Sequence, residues 1–277
     1  MGKIGVITND KRQVFQRTVI TGVKEIASAK GYDVLVDSLA EDPKQPKPLS
    51  LPLVQMDGFL VLANALDIAG LQQLRQTGKP ITLVSHHEPD IPSVIPNNTE
   101  GIRQLADYLV NVCQCRRFVF IQGHMGQLDG VERDKVFGEA LVRHDIPIEN
   151  IWRLRGDFDA DIAATSLRNF LQENVPFDAV VAADYLMASV AIDILREAGI
   201  YVPDEVCVAG FGDGPEAEAV GLTTVAADVM ELGRRAARQL FAQLDGLAIK
   251  GVTWLTTEII ERETCKPKLE RWHETTH

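Results

Sequence analysis

Apolar, β-branched runs recur along the chain at residues 3–7 (KIGVI), 32–36 (YDVLV), 58–63 (GFLVLA), 81–85 (ITLVS), 117–122 (RFVFIQ), 179–183 (AVVAA) and 206–211 (VCVAGF). They are nearly continuous and not alternating, which is the pattern of strands covered on both faces in a parallel sheet. Between them lie stretches with helical period: Val19, Val23 and Ile26; Ile102, Leu105, Ala106 and Leu109; and the segment from Asp228 to Leu244. Strand and helix alternate, which predicts α/β layering. The alternation restarts near Arg117, so two doubly wound, parallel-sheet (Rossmann-like) lobes are expected, with a ligand cleft between them at the carboxyl ends of the strands. The expected boundaries are 1–122 plus about 226–248 for an N-terminal lobe, 123–225 plus about 249–265 for a C-terminal lobe, and 266–277 as a tail. The proline-rich stretch 41–52 (EDPKQPKPLSLP) reads as an irregular surface connection inside the first lobe.

Composition narrows the function classes. A chain of 277 residues that is 45% hydrophobic and 24% charged can bury a core. Its formal charge of −11 leaves no basic surplus for neutralising phosphates, so nucleic acid is not expected as a direct partner. There is no run of apolar residues long enough to cross a membrane and no signal-like opening, which points to a cytoplasmic protein or an excised domain. The four cysteines, Cys113, Cys115, Cys207 and Cys265, lack paired metal-binding spacing even with His124 nearby, so no metal site is expected.

Several motifs imitate chemistry that they do not complete. Gly210, Gly212 and Gly214 suggest a phosphate cradle, but the last position of G-x-G-x-x-G is Pro215, and no G-x-x-x-x-G-K-[ST] exists. The glycines read either as a tight turn or as backbone thinned for a ligand, with Asp213 supplying a carboxylate. Asp157, Asp159 and Asp161 imitate a calcium loop, yet Ile162 and Arg168 stand where a glycine and a bidentate glutamate are required. Asp159 or Asp161 is expected to cap the following helix. His86 and His87 follow a strand without an HExxH pattern, and no G-x-S-x-G nucleophile turn is present. No motif demands an enzyme.

Three segments together, 116–141 (RRFVFIQGHMGQLDGVERDKVFGEAL), 177–213 (FDAVVAADYLMASVAIDILREAGIYVPDEVCVAGFGD) and 221–241 (GLTTVAADVMELGRRAARQLF), resemble the effector-binding domain of the LacI/GalR family of transcription regulators. That domain is built like a type I periplasmic sugar-binding protein, and the likeness runs from Lys3 to about Thr264. The family's helix-turn-helix headpiece would precede the first strand, where only Met1 and Gly2 stand, so DNA is expected as a partner only through a headpiece absent from this chain. The resemblance implies a small polar, sugar-like ligand, lobe closure on binding, a homodimer and no cofactor.

Carried over position by position, Arg133 matches the family's ligand-clamping arginine, whose fork suits vicinal oxygens. Phe158 matches an aromatic residue that lies against the ligand. Asp184 stands where asparagine is usual, and Tyr185 where an aspartate follows. Gly212 replaces a sugar-binding aspartate, with Asp213 beside it as a substitute. From the first lobe come Asn9, Asp10 and Phe15 after the opening strand, then Asn64, His86 and Asn97 at later strand ends. Asn97 stands where an aspartate is more usual. The alternatives are a LacI-like sensor domain of a kinase- or cyclase-type signalling protein, a stand-alone solute-binding protein, an α/β enzyme using Asp10, His86 and Asp184, or a structural interaction module.

Overall fold

The computed structural model describes residues 1–40, 47–62 and 65–267. Most of the proline-rich stretch, residues 41–46, lies outside the described residues, as do Asn64 and the tail from 268 onward. The strands are β1 (Gly2–Thr8), β2 (Tyr32–Ser38), β3 (Gly58–Leu62), β4 (Ile81–Val84), β5 (Ser93–Pro96), β6 (Phe118–Gln122), β7 (Ile151–Arg155), β8 (Ala179–Ala182), β9 (Cys207–Phe211), β10 (Thr223–Ala226), β11 (Val252–Leu255) and β12 (Glu258–Ile260). The helices are α1 (Val14–Ala29), α2 (Ile68–Arg75), α3 (Asn98–Asp107), α4 (Leu128–Arg143), α5 (Ala160–Gln172), α6 (Tyr185–Glu197), α7 (Pro215–Ala219) and α8 (Val229–Leu244). They divide into two compact units, Met1–Pro96 with Ala227–Leu255, and Asn97–Ala226 with Thr256–His277.

The first unit is a six-stranded sheet in the order β11-β5-β4-β3-β1-β2, with every pairing parallel. Its strands are apolar on both faces because each face is covered. Ile4, Val6, Leu60 and Leu62 face one core with Val19, Val23, Leu232 and Leu240 from α1 and α8. Ile7, Phe59, Val61 and Leu83 face another with Leu71 and Leu74 from α2. The period-2 alternation of a strand thus sorts neighbouring residues into separate cores.

In the second unit the order is β12-β10-β9-β8-β6-β7, parallel except for the antiparallel edge pair β10 and β12. Phe118, Phe120 and Phe137 meet at its centre, the last two stacked at 5.1 Å. Asp178 ties the start of β6 to that of β8. Its carboxylate accepts from the backbone N–H groups of Arg116 and Arg117 and from the Arg117 side chain. In both sheets the strand order reverses at the first strand, β1 or β6, and at such switch points the carboxyl ends of the strands leave room for a ligand.

The doubly wound α/β reading holds, but the expected lobe boundaries need correction. β6 pairs with β7 and β8, so residues 118–122 belong to the second sheet, and α3 lies in that unit too. β11, placed by sequence in the C-terminal lobe, pairs with β5 in the first sheet. The hydrophobic pattern of a strand records that it is covered on both faces and carries no mark of which sheet it joins.

Candidate functional site

At the second unit's switch point, Arg133 projects from α4 with its side chain 15% exposed. Its Nη1 donates to the carbonyl oxygen of Ala183 at 2.7 Å, just past β8. Its Nη2 lies 3.4 Å from Asp129 Oδ2, one helical turn back, which is an ion pair but too long for a strong hydrogen bond. The guanidinium plane sits 4.3 Å from the ring centroid of Phe211 at the end of β9, and 5.9 Å from that of Phe158. Both are cation–π distances. A guanidinium has five N–H donors, and here two nitrogens reach protein acceptors while Nε has none among the described residues.

Phe158 reaches this place through unusual backbone. It follows β7 with φ of +58°, directly after Asp157 at +56°. Left-handed conformation is rare for a bulky residue and persists where the surroundings enforce it. Here the Asp157 N–H donates to Gln122 O, the Asp159 N–H donates to Gly156 O, and Asp159 caps α5 through the N–H groups of Asp161 and Ile162. The capping expected of Asp159 is therefore present. Gly123 is required beneath the ring, because a Cβ there would fall 2.2 Å from Phe158 Cζ.

Asp184 is the N-cap of α6, accepting from the Met187 N–H at 2.8 Å. Burial pushes its carboxyl above the usual range, opposed by the Met187 N–H bond and by the charge of Arg133. A carboxyl raised in the folded state contributes stability that is complete below its unfolded value and is lost as pH rises through its folded value. Asparagine caps helices as well as aspartate does. Asp184→Asn is therefore expected to raise the melting temperature at pH 7 and to change it little at pH 3. Thermal melts at the two pH values check this, and a loss of stability at pH 7 would contradict it.

Asp213 does not take the substitute role expected of it. Both carboxylate oxygens are held by Arg262, with Nη1 to Oδ1 at 2.9 Å and Nη2 to Oδ2 at 2.8 Å. The glycine turn beside it is occupied by Tyr185. A Cβ at Gly212, whose φ is +83°, would lie 3.3 Å from the Tyr185 ring, and one at Gly214 would lie 2.8 Å from its hydroxyl. The bare backbone of the VCVAGFGDG stretch makes room for a side chain of the same unit. Asn97 caps α3, its Oδ1 accepting from the Glu100 N–H at 3.1 Å.

In the first unit, Asn9 and Asp10 follow β1, and Asn9 lines a cavity of about 480 Å³ that also holds Lys47, Asp67 and Gln73. Asp10 is committed to Arg12, whose side-chain and backbone hydrogen bonds hold its carboxyl at about 2. Phe15, in the first turn of α1, packs partly against the core beneath it. His86 is 5% exposed, and burial holds its imidazole below the usual range, hence neutral at pH 7. The structure thus gathers Arg133, Phe158 and Asp184, while Asp213 and Asp10 have arginine partners of their own. Sequence reasoning missed Phe211 and Asp129. Phe211 closes a quoted apolar run, and Asp129 stands one turn before Arg133, so only the spacing on α4 pointed to it. Among the described residues no group of three or more His, Cys, Asp or Glu is placed to hold a metal ion, and no helix is long and apolar enough to cross a membrane.

Comparison with known proteins agrees with this architecture. Residues 106–265, more than half of the chain, match the periplasmic binding protein-like domain family. The HTH-type transcriptional regulator CelR of Thermobifida fusca is 30% identical over 216 residues, 76% of this chain and 63% of the regulator. This chain therefore spans under two thirds of that relative. A LacI transcriptional regulator from a Rhodococcus species superimposes with a TM-score of 0.83 at 23% identity, covering 96% of this chain and 98% of the other. A LacI-family regulator from Enterococcus faecium, solved with bound ribose, gives 0.80 at 19% identity over 96% and 99%. All three carry the names of transcriptional regulators. With its two parallel-sheet units and this match, the chain belongs to the periplasmic binding protein-like domain family.

Proposed function

We propose that the chain senses a small, sugar-like solute for a LacI-type transcription regulator. Arg133, Asp184 and Phe158 hold the solute from the second unit, and Asn9, Asp10, Phe15, Asn64 and His86 contribute from the first. The observation that carries this reading is the Arg133 guanidinium. It is stacked on Phe211, fixed by one carbonyl, and keeps donors to spare beside a carboxylate and an aromatic ring. Fixed N–H donors with an adjacent acceptor suit vicinal hydroxyls, and an aromatic face suits the C–H face of a sugar ring. The ribose bound to the similar Enterococcus faecium regulator supports the ligand class.

Binding would act by favouring a closed arrangement of the two units within a homodimer, through differential affinity for that state. The protein would work in the cytoplasm. Isothermal titration with D-ribose, cellobiose and a set of nucleosides tests the reading. Saturable binding of at least one sugar at micromolar to millimolar strength is expected. Silence from folded protein toward the whole panel would overturn it.

A further inference from the structure

Asn98 is 1% exposed, at the first turn of α3, one residue after the chain enters the second unit at Asn97. Its amide nitrogen donates to Asp129 Oδ1 at 2.9 Å and to Glu132 Oε2 at 3.0 Å, both on α4. The two facing groups are carboxylates and accept only, so chemistry fixes the amide orientation. Thr99 Oγ1 adds a second bond to Glu132 at 3.2 Å, whereas Asp129 Oδ1 accepts from Asn98. The other oxygen of Asp129 faces Arg133.

The same turn is anchored where the chain passes between units. The Asn97 carbonyl accepts from Thr257 Oγ1 at 3.0 Å, and Thr257 stands two residues past the end of the first unit's last segment. At Gly101 a Cβ would fall 2.3 Å from Thr257 Oγ1 and 2.4 Å from Val225 Cγ1, so the α3 backbone presses on both. Val225 lies two residues before the chain returns to the first unit at Ala227. Residues beside all three crossings therefore meet at one helical turn.

Burying Asn98 also has a cost. Its Oδ1 is buried with no partner among the described residues, and an unsatisfied buried polar atom is destabilising. An apolar side chain of the same size would avoid that cost, so packing alone does not explain an amide here.

We propose that Asn98 is a positioning residue for the ligand arginine: it orients the Asp129 carboxylate, which in turn holds Arg133, and so ties the guanidinium to the turn where the crossings meet. The proposal rests on Arg133 as the ligand-binding group and adds the path by which its place is set. A binding group is only as well placed as the groups that support it.

The test uses the full chain and has two arms. In the first, the Arg133 guanidinium ¹⁵Nε–¹Hε resonance is followed by NMR, assigned by its absence in Arg133→Lys. Asn98→Leu and Asp129→Asn are each expected to shift or broaden it, while Glu132→Gln, which loses α3–α4 contacts but not the Arg133 partner, leaves it in place. Should Asn98→Leu fail to fold, Asp129→Asn, at a side chain 35% exposed, carries the comparison. A signal unmoved in the folded Asp129→Asn variant, or moved equally by Glu132→Gln, would overturn the proposal. The second arm titrates D-ribose, with an expected loss of about two- to fivefold in Asp129→Asn, the scale of one partly exposed ion pair. If D-ribose does not bind the unaltered chain, the sugar reading is weakened, and the NMR arm still decides the positioning role.

Discussion

Replacing Arg133 with alanine is expected to weaken sugar binding by at least about a hundredfold while the chain stays folded. Each hydrogen bond from a charged donor is worth about 1.5–3 kcal/mol, and a fork makes two, so a loss of about 3 kcal/mol or more follows. Every 1.4 kcal/mol is about tenfold in affinity. The fold should tolerate the change because the side chain lies at the strand ends and not in the layered cores. Two local costs remain. The Ala183 carbonyl loses its donor, and Asp184 loses the positive charge that opposes its burial, so its carboxyl rises further. Arg133→Lys keeps the charge but not the planar fork, and should recover only part of the affinity. Titration of both variants, with circular dichroism to confirm folding, checks the result. Full affinity in Arg133→Ala would remove this residue from the site.

The largest effect on stability is expected at Gly233. A Cβ there would fall 2.1 Å from the Val19 carbonyl oxygen, and one at Gly22 would fall 2.3 Å from the Met230 carbonyl oxygen. Each glycine thus lets α1 and α8 meet backbone to backbone, and neither obstacle is the movable end of a side chain. Gly→Ala inside a helix gains about 1 kcal/mol in propensity. Forcing packed elements apart costs about 1–3 kcal/mol and more where backbone must move. The steric cost wins at Gly233. At Gly138 in α4 the balance reverses, because the nearest atom is the end of the Arg153 side chain. Urea unfolding should therefore show a clearly lower midpoint for Gly233→Ala and an unchanged or higher one for Gly138→Ala. Equal midpoints would contradict the close contact.

The sequence carried the layered α/β fold well wherever burial was complete on both sides. β1, β3, β4, β6, β8 and β9 are apolar at most positions and stood out as runs, as did the edge strand β2, which is only partly buried. β7 and β12 did not, because their residues are mostly only partly buried and mix in charge, as in Ile151–Arg155 with Arg153 and Arg155 exposed, and β11 is a short, mostly half-exposed edge strand. β5 carries a serine and a proline and β10 two threonines, so neither reads as an apolar run. Sheet membership was hidden for the reason seen with β6 and β11: three crossings exchange segments between units, and local pattern does not record the exchange. At the site, Arg133 and Phe158 came from resemblance to a family and not from spacing. The Asp213–Arg262 pair joins residues 49 apart, beyond any local rule, and it turned a candidate ligand carboxylate into a brace for the turn. Tyr185 over the glycine turn was equally unreadable, since nothing in a glycine run says which side chain it admits.

The position of a bound sugar decides most directly whether Arg133 is the ligand clamp. A crystal structure of the chain with the tightest-binding sugar of the panel should place hydroxyl oxygens within hydrogen-bonding distance of the Arg133 guanidinium and of Asp184, with the ring against Phe158. A sugar bound elsewhere, such as in the cavity lined by Asn9, Lys47 and Asp67, with Arg133 touching only Ala183, Asp129 and Phe211, would contradict it.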